Sequence, residues 1–530
     1  MKCSWKCFVL VLAVTITAVA VRVPRLRQRP MHCDEAVNAV KFGQLLETGS
    51  YKYEPRQYHG PTLNYFTLSA ARLSSAKNFS DVTETDLRIV PAAFGILLVV
   101  LVFLLADGLG WAATIFAALL TAVSAAFVFY SRYYIHEMLL VCFTFGVIAC
   151  LWRCARSGSI IWALSAGVFM GLAACTKETF VISFVSMAAA FVLVFGAGCR
   201  DVVKSIKPLH ILAALAAAVI ITVLFYTSFF SNPAAIADFF RSYSHYLVRA
   251  GGDQIHRHPW YYYLKILTYY GYRGSATGGE TFIVLLAVTG LVSAVRKANG
   301  AGVNLKLVRF IAFYTIIMTL VYSAIPYKTP WCLLGMLHGM ILLAGAGAAA
   351  IIRSLPNTLS RVLIGLVLAA GLGHLVWQSY LDNYRHYAEP GNPYVYAHTT
   401  EDVFVVKQRL ETIAGLAPDG HNIYIQVIFA ENGYWPLPWY LRNFRRVAWY
   451  DHVEPDSGYP EVIIASPGME QPLAAKLYDL RAEEKRSLYM PLFADYMQLR
   501  PGVEFQGFVV KDLWDRFEQY SQRPRMSDSN

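Results

Sequence analysis

Eleven long apolar runs constrain this 530-residue chain more than any motif in it. They lie near 8–23, 89–106, 111–129, 138–152, 160–175, 179–197, 209–230, 281–295, 308–325, 332–352 and 362–380. A helix needs about 20 predominantly apolar residues to cross the hydrocarbon layer, and only structures that satisfy their own backbone hydrogen bonds are stable there. The composition agrees, being 56% apolar and 15% charged. The runs therefore predict an all-α polytopic membrane protein with about 11 transmembrane helices.

From residue 421 the pattern changes. Short strand-like runs at 422–428, 446–450 and 462–465 alternate with helix-like stretches such as 470–486, the pattern of a small α/β soluble domain. The expected division is a transmembrane domain over 1–380 and a soluble domain over 381–530. The soluble part is acidic, with 15 Lys+Arg against 21 Asp+Glu, so the net +11 of the chain rests on the membrane part. Anionic headgroups or a phosphorylated lipid substrate suit that charge. Nucleic acid does not, because the soluble domain has no basic stripe. The nine cysteines include no C-x-x-C pair and none follows Cys332, which leaves that domain without a disulfide framework or a zinc cluster.

Charge also orients the helices. With the N-terminus inside, the short inner segments carry thirteen Lys and Arg, and the short outer turns only Arg132, Lys177 and Lys328. This positive-inside bias places the long loops 24–88 and 231–280 and the C-terminal domain outside. Within the first loop, 35–48 and 62–76 have helical apolar spacing interrupted by Lys41, Glu47 and Arg72, as in helices lying along a surface. Residues 8–21, preceded by Lys2 and Lys6 and ending near Ala18-Val19-Ala20, also have the look of a signal peptide. Arg25, Arg27 and Arg29 in the first loop, and Arg241, Arg249, Arg257, Lys265 and Arg273 in the second, either cross with their long loops or serve a phosphorylated lipid. Trp260-Tyr261-Tyr262-Tyr263 has the composition of an interfacial aromatic belt.

Polar residues gather at the outer helix ends: Asp34 and Glu35, His136 and Glu137, Lys177 and Glu178, and Lys328. Each alone reads as a solvated flank, since ionisable groups avoid helix centres. Together they fall on one side, beside two loops long enough to roof a pocket.

These residues also carry a family resemblance. His32-Cys33-Asp34-Glu35-Ala36 after a single N-terminal helix resembles the H-x-D-E-A element of the GT-C membrane glycosyltransferases, which include protein O-mannosyltransferases, the lipid A aminoarabinose transferase and the catalytic subunit of oligosaccharyltransferase. Tyr58-His59-Gly60-Pro61-Thr62-Leu63 resembles the loop segment before the second surface helix, and Tyr130-Ser131-Arg132-Tyr133-Tyr134-Ile135-His136-Glu137 the motif at the third-to-fourth helix turn. Gly171-Leu172-Ala173-Ala174-Cys175-Thr176-Lys177-Glu178 is similar to the G-L-A-x-x-T-K-G element of the lipid A transferase branch, with Glu in place of the second Gly. The resemblance covers about residues 1–380 and rests on order and spacing. The whole chain, including Tyr434-Trp435-Pro436-Leu437-Pro438-Trp439-Tyr440-Leu441-Arg442, looks most like the prokaryotic subfamily named for association with a flippase in archaeal protein N-glycosylation.

The resemblance implies a GT-C-like fold and an inverting transfer of sugar from a polyprenyl-phosphate donor to a glycan, lipid or protein acceptor on the outer face of the plasma (inner) membrane. By carry-over Asp34 is the base and Glu35 its orienting neighbour. His59, Arg132, Glu137, Glu178, Lys177 and Lys328 contact substrate, the two lysines meeting the donor phosphate. Displacing a phosphate needs one base and cations to neutralise the leaving group. The oligosaccharyltransferase branch implies a divalent metal, Mg or Mn, for which Asp34, His136 and Glu137 are the matching set, thin for an octahedral site. Snorkelling remains the other reading of Lys177 and Lys328. Trp435, Trp439 and Tyr440 suit either packing or stacking on sugar. Two further functions stay open: a transporter or flippase-associated component handling lipid-linked sugars, and a non-catalytic scaffold of the same fold. No inverted repeat or midplane ionisable group favours the first, and only turnover separates the second.

Overall fold

Each of the eleven apolar runs is occupied by helix in the computed structural model, which describes residues 5–252, 256–269, 279–296, 303–479 and 487–522. Arg273, Lys297 and residues 480–486 of the expected helix-like stretch lie outside the described residues. Among the described residues seven helices are long and apolar enough to cross a membrane: Glu84–Leu109, Glu137–Ser157, Phe180–Lys204, Pro208–Tyr226, Leu305–Ala324, Pro330–Ser354 and Thr358–Arg385. Trp111–Val123 and Ala125–Ser131 make an eighth span, bent by 55°. The other three runs form the shorter apolar helices Trp5–Ala20, Ile160–Ala174 and Thr281–Val295. The chain is thus an integral, multi-pass membrane protein of largely helical build.

The helix ends follow local chemistry. Thr83 and Asp86 form a capping box at the start of the Glu84 helix, the Thr83 amide donating to the Asp86 carboxylate at 2.8 Å. Small residues let the spans approach closely. A Cβ on Gly290 would lie 2.0 Å from the Leu343 carbonyl oxygen, and one on Gly345 would lie 2.3 Å from that of Ala113, so backbone meets backbone at both crossings. Pro330–Ser354 is the central helix, with 78% of its apolar window buried, whereas Pro208–Tyr226 and Thr358–Arg385 are 11% buried and present their apolar faces outward. A bilayer is the solvent those faces require.

The first long loop contains both expected helices, observed as Cys33–Thr48 and Thr62–Leu73. The second contains Ala235–Gly252 and Tyr262–Thr268. By compactness the chain divides into two units. The first comprises residues 1–27, 42–77 and 82–396, and the second 28–41, 78–81 and 397–530. The chain passes from one to the other within the helix Cys33–Thr48.

The second unit is built on a six-stranded mixed sheet: β1 (Tyr424–Ile428), β2 (Arg446–Tyr450), β3 (Val462–Ala465), β4 (Tyr489–Pro491), β5 (Met497–Arg500) and β6 (Val503–Val510). β1 lies between β2 and β3, parallel to both, with Val427 opposite Trp449 and Ile464. β6 runs antiparallel to β3, β4 and β5. The first three strands coincide with the runs read from the sequence. β3 is buried along its whole length, as a central strand covered on both faces must be. β6 alternates instead, with Phe505, Gly507 and Val509 buried. Of the expected 470–486 stretch, Glu470–Ala474 is helical and continues as a π-helix through Asp479.

Candidate functional site

In the first unit three of the sequence motifs meet. The Tyr58–Leu63 loop is held by backbone bonds to the turn after Ile160–Ala174: Gly60 N donates to the Thr176 carbonyl at 3.1 Å and Thr62 N to the Cys175 carbonyl at 3.2 Å. Only glycine fits at position 60, because a Cβ would lie 2.1 Å from the Cys175 oxygen. The Thr62 and Thr176 hydroxyls, 2.8 Å apart, fasten the same contact.

This docking sets the side chains that follow. His59 Nδ1–H donates to Glu178 Oε2 at 2.9 Å, and the Tyr53 hydroxyl donates to Glu178 Oε1 at 2.7 Å. Burial alone would raise the Glu178 carboxyl, but the charge and hydrogen bond of His59, with help from Tyr53, bring it below its ordinary value. His136 stands 5.3 Å from His59, ring edge to ring face. Burial first, then His59 and Lys177, push the His136 imidazole well below its ordinary value. Neutral His136 therefore donates its Nε2–H to the Gly60 carbonyl, 3.1 Å away, and keeps Nδ1 as an acceptor. Lys177 and Glu137 form a buried ion pair, their side chains 10% and 6% exposed.

That pair lines a small cleft together with Thr179, Tyr322 and Trp331 and the apolar Leu140, Val141 and Met318. A second small space shares Val141, Thr144 and Gly335 with it and continues between the Glu137, Leu305 and Leu334 helices past Phe145, Ile148, Ile311 and Leu342. The two together give a narrow groove lined by an ion pair and by apolar side chains.

Other expected site residues stand elsewhere. Arg132 turns into the fold, where its guanidinium donates to the Arg22 and Arg25 carbonyls at 3.0 and 3.1 Å and covers the Tyr384 ring at 4.4 Å. Lys328 is 1% exposed, and its Nζ donates to the Ile325 and His258 carbonyls. Burial lowers its pKa. Close by, the Tyr396 hydroxyl lies 2.7 Å from His256 Nδ1 and 3.2 Å from His258 Nε2. Sequence reasoning missed this cluster, reading only Trp260–Tyr263 as an aromatic interface and Arg257 as a loop charge. It also missed Tyr53, whose role no motif signals.

In the second unit the turn before Cys33–Thr48 is tied to the C-terminal sheet domain. Met31 N donates to the Tyr440 hydroxyl at 2.7 Å, and the Thr399 hydroxyl to the Met31 carbonyl at 2.7 Å. Arg500 Nη1 donates to the Trp435 carbonyl at 2.6 Å and reaches Cys33 Sγ at 3.5 Å. The Trp435–Arg442 motif thus packs inside this unit: Trp439 is fully buried, with the Arg442 guanidinium 3.7 Å above its ring. Within the turn, Glu35 is fully buried and its Oε2 accepts from His32 N at 3.0 Å, the reciprocal arm of a helix cap. The Asp34 amide donates to His32 Nδ1 at 3.0 Å, while its own side chain remains 51% exposed. Burial pushes the neighbouring Cys33 thiol up to about 11, so it stays protonated at neutral pH.

A divalent metal finds no ready set here. Among the described residues no three His, Cys, Asp or Glu side chains group as ligands, and Glu137 and His136 are engaged with Lys177 and Gly60.

Residues 59–226, which span the docked loop and both outer turns, match the dolichyl-phosphate-mannose-protein mannosyltransferase family. No curated protein matches by sequence. Among solved structures the chain is similar to ArnT from Cupriavidus metallidurans bound to undecaprenyl phosphate, at 15% identity and a TM-score of 0.66, covering 94% of this chain and 97% of that one. The apo state of the same protein gives a TM-score of 0.64 at 15% identity over the same shares. The oligosaccharyltransferase AglB from Archaeoglobus fulgidus, in complex with an inhibitory peptide and a dolichol-phosphate, gives 0.53 at 12% identity, covering 89% of this chain and 71% of that one. The family match thus covers about a third of the chain, residues 59–226, and the fold is similar along nearly the whole chain to that of ArnT.

Proposed function

We propose that this protein moves a sugar from a polyprenyl-phosphate donor to an acceptor on the outer face of the plasma (inner) membrane, inverting the anomeric carbon, with Asp34 as the base. The observation that carries the reading is the groove of the first unit. Lys177 and Glu137 line it, the Glu178–His59 pair follows one residue on from Lys177, and the space extends between three spanning helices. A ligand suited to it has an anionic head and a long apolar chain. Undecaprenyl phosphate and dolichol-phosphate, bound by the two similar proteins, have that form.

In this mechanism Lys177 stabilises the phosphate as it leaves, and His59, held by Glu178, presents a second hydrogen-bond donor to it. Asp34, the exposed carboxylate of its turn, takes the acceptor hydroxyl proton while Glu35 holds the turn in shape. Arg132 supports the turn at residues 22–25 and reaches substrate only through it. Lys328 braces the 256–258 segment and has a smaller part in donor binding. No step is routed through Mg or Mn, because two of the three side chains offered for it, His136 and Glu137, are already engaged with Gly60 and Lys177.

The test is direct. Purified protein in liposomes, given a radiolabelled polyprenyl-phosphate sugar and an envelope extract as acceptor source, should consume the donor and label a product of inverted configuration. Donor that binds but is never consumed, with any extract, would leave a non-catalytic scaffold as the correct reading.

A further inference from the structure

At Ser124 the chain bends between Trp111–Val123 and Ala125–Ser131, and a helix broken inside a membrane protein must find partners for the freed backbone groups. Glu280 supplies part of the answer. Its Oε1 accepts from the Ser124 hydroxyl at 2.6 Å and from Ala126 N at 3.1 Å. A helix cap accounts for that oxygen. It does not account for Oε2, which is buried without a hydrogen-bond partner among the described residues.

Four more oxygens nearby share that condition: Gln378 Oε1, Asp382 Oδ2, Asn383 Oδ1 and the Tyr394 hydroxyl. Their side chains are linked to Glu280 and to one another. Asp382 and Glu280 are close enough to repel electrostatically, and the Gln378 amide bonds to Asp382. Asn383 Nδ2 reaches the Ala125 carbonyl at the helix break (3.4 Å) and the Ser379 carbonyl (2.8 Å). The Tyr394 hydroxyl adjoins Glu280. Glu280 is 0%, Asn383 4%, Gln378 6% and Asp382 7% exposed.

Four of these unmatched atoms are acceptors, and the fifth, the Tyr394 hydroxyl, can accept as well as donate. Among the described residues no Lys, Arg or His forms an ion pair with Glu280 or Asp382, and the nearby His386 is paired with Glu389 at 2.8 Å. Two buried carboxylates need compensating positive charge. Protons would have to hold both groups neutral at pH 7, far above the ordinary carboxylate value of about 4. One divalent cation balances both charges and engages the amide oxygens too. Oxygen ligands alone, two of them neutral carbonyls, with little room for retained water, match Ca²⁺ better than Mg²⁺, which dehydrates reluctantly.

We infer that Glu280, Gln378, Asp382 and Asn383 bind a calcium ion that ties the break at Ser124 to the end of the Thr358–Arg385 helix. The ion secures the short helix leading into Tyr130-Ser131-Arg132, and has a structural role separate from sugar transfer.

The experiment uses the full chain in detergent, stripped with EGTA, and follows thermal unfolding by tryptophan fluorescence as CaCl₂ is added. Saturating Ca²⁺ should raise the unfolding temperature by about 5 °C. Asp382→Asn should abolish the rise, and Gln378→Met, a milder change, should shift the calcium midpoint upward about tenfold. Asp34→Asn should keep the full response, which separates this site from the proposed catalytic turn. An unfolding temperature indifferent to Ca²⁺, an equal rise with MgCl₂ or NaCl alone, or an undiminished calcium response in both Asp382→Asn and Gln378→Met would overturn the assignment. Stability that ignores cations but falls as the pH is raised from 6 to 9 would also overturn it, by showing that protons neutralise the pair.

Discussion

The turn at residues 32–35 and the mouth of the groove both present carboxylates, and they use them in opposite ways. At the turn the buried acid, Glu35, accepts a backbone N–H, which leaves Asp34 half exposed with its side chain toward water. At the groove both acids are buried and matched to side chains, Glu137 with Lys177 and Glu178 with His59 and Tyr53. An exposed carboxylate held by its backbone stays open to whatever approaches from water. A buried one matched to a cation is committed to holding that cation in place.

Four measurements break or sharpen this contrast. The largest effect belongs to Asp34. Asp34→Asn keeps the shape and capping ability of the side chain but not its basicity, so turnover should fall by about 10² to 10⁴ with donor binding preserved. Full transfer by a folded Asp34→Asn protein would remove it from the mechanism.

Next comes the Glu137–Lys177 pair. Lys177→Ala strands a buried carboxylate, so it should cost about 3–5 kcal/mol of stability in addition to weakening donor affinity. A double variant, Glu137→Leu with Lys177→Met, should recover most of the stability and none of the donor binding. If the single variant unfolds at the wild-type temperature, the pair is not the buried clamp described here.

Glu178 should show a smaller, pH-dependent effect. Its pKa is depressed in the fold, so its contribution is present above the ordinary carboxylate range and is lost as the pH falls through its lower folded value. Stability should therefore drop below about pH 4 in the wild type. Glu178→Gln should flatten that part of the profile and cost about 1–3 kcal/mol at neutral pH, because a Gln amide cannot accept from both His59 and Tyr53. Parallel pH–stability curves for the two proteins would refute the role.

Smallest of all, Glu35→Gln retains an oxygen for the His32 amide, so its loss should be about 1 kcal/mol with turnover changed less than threefold. A collapse of turnover without loss of stability would make Glu35, not Asp34, the base.

The residues themselves determined the parts of this protein whose physics is local. Helix length against bilayer thickness placed all eleven apolar helices, and short apolar, β-branched runs placed β1, β2 and β3. β6 also alternates at Phe505, Gly507 and Val509, but its glutamate, glutamine and glycine weaken the strand signal. The order and spacing of the motifs brought Asp34, His59, Glu137, Lys177 and Glu178 forward as candidates. What each one does was decided by tertiary structure, because partners come from distant segments. Glu137 meets Lys177 across 40 positions, His59 meets Glu178 across 119, and Arg132 spends its donors on carbonyls more than 100 positions away. Likewise only the fold joins residues 28–41 to 397–530 in one compact unit, through Tyr440, Trp435 and Arg500, and only the fold collects the unmatched oxygens of Glu280 and Asp382. A hydrophobic pattern states which residues leave water; which buried polar groups then find one another depends on the path of the whole chain.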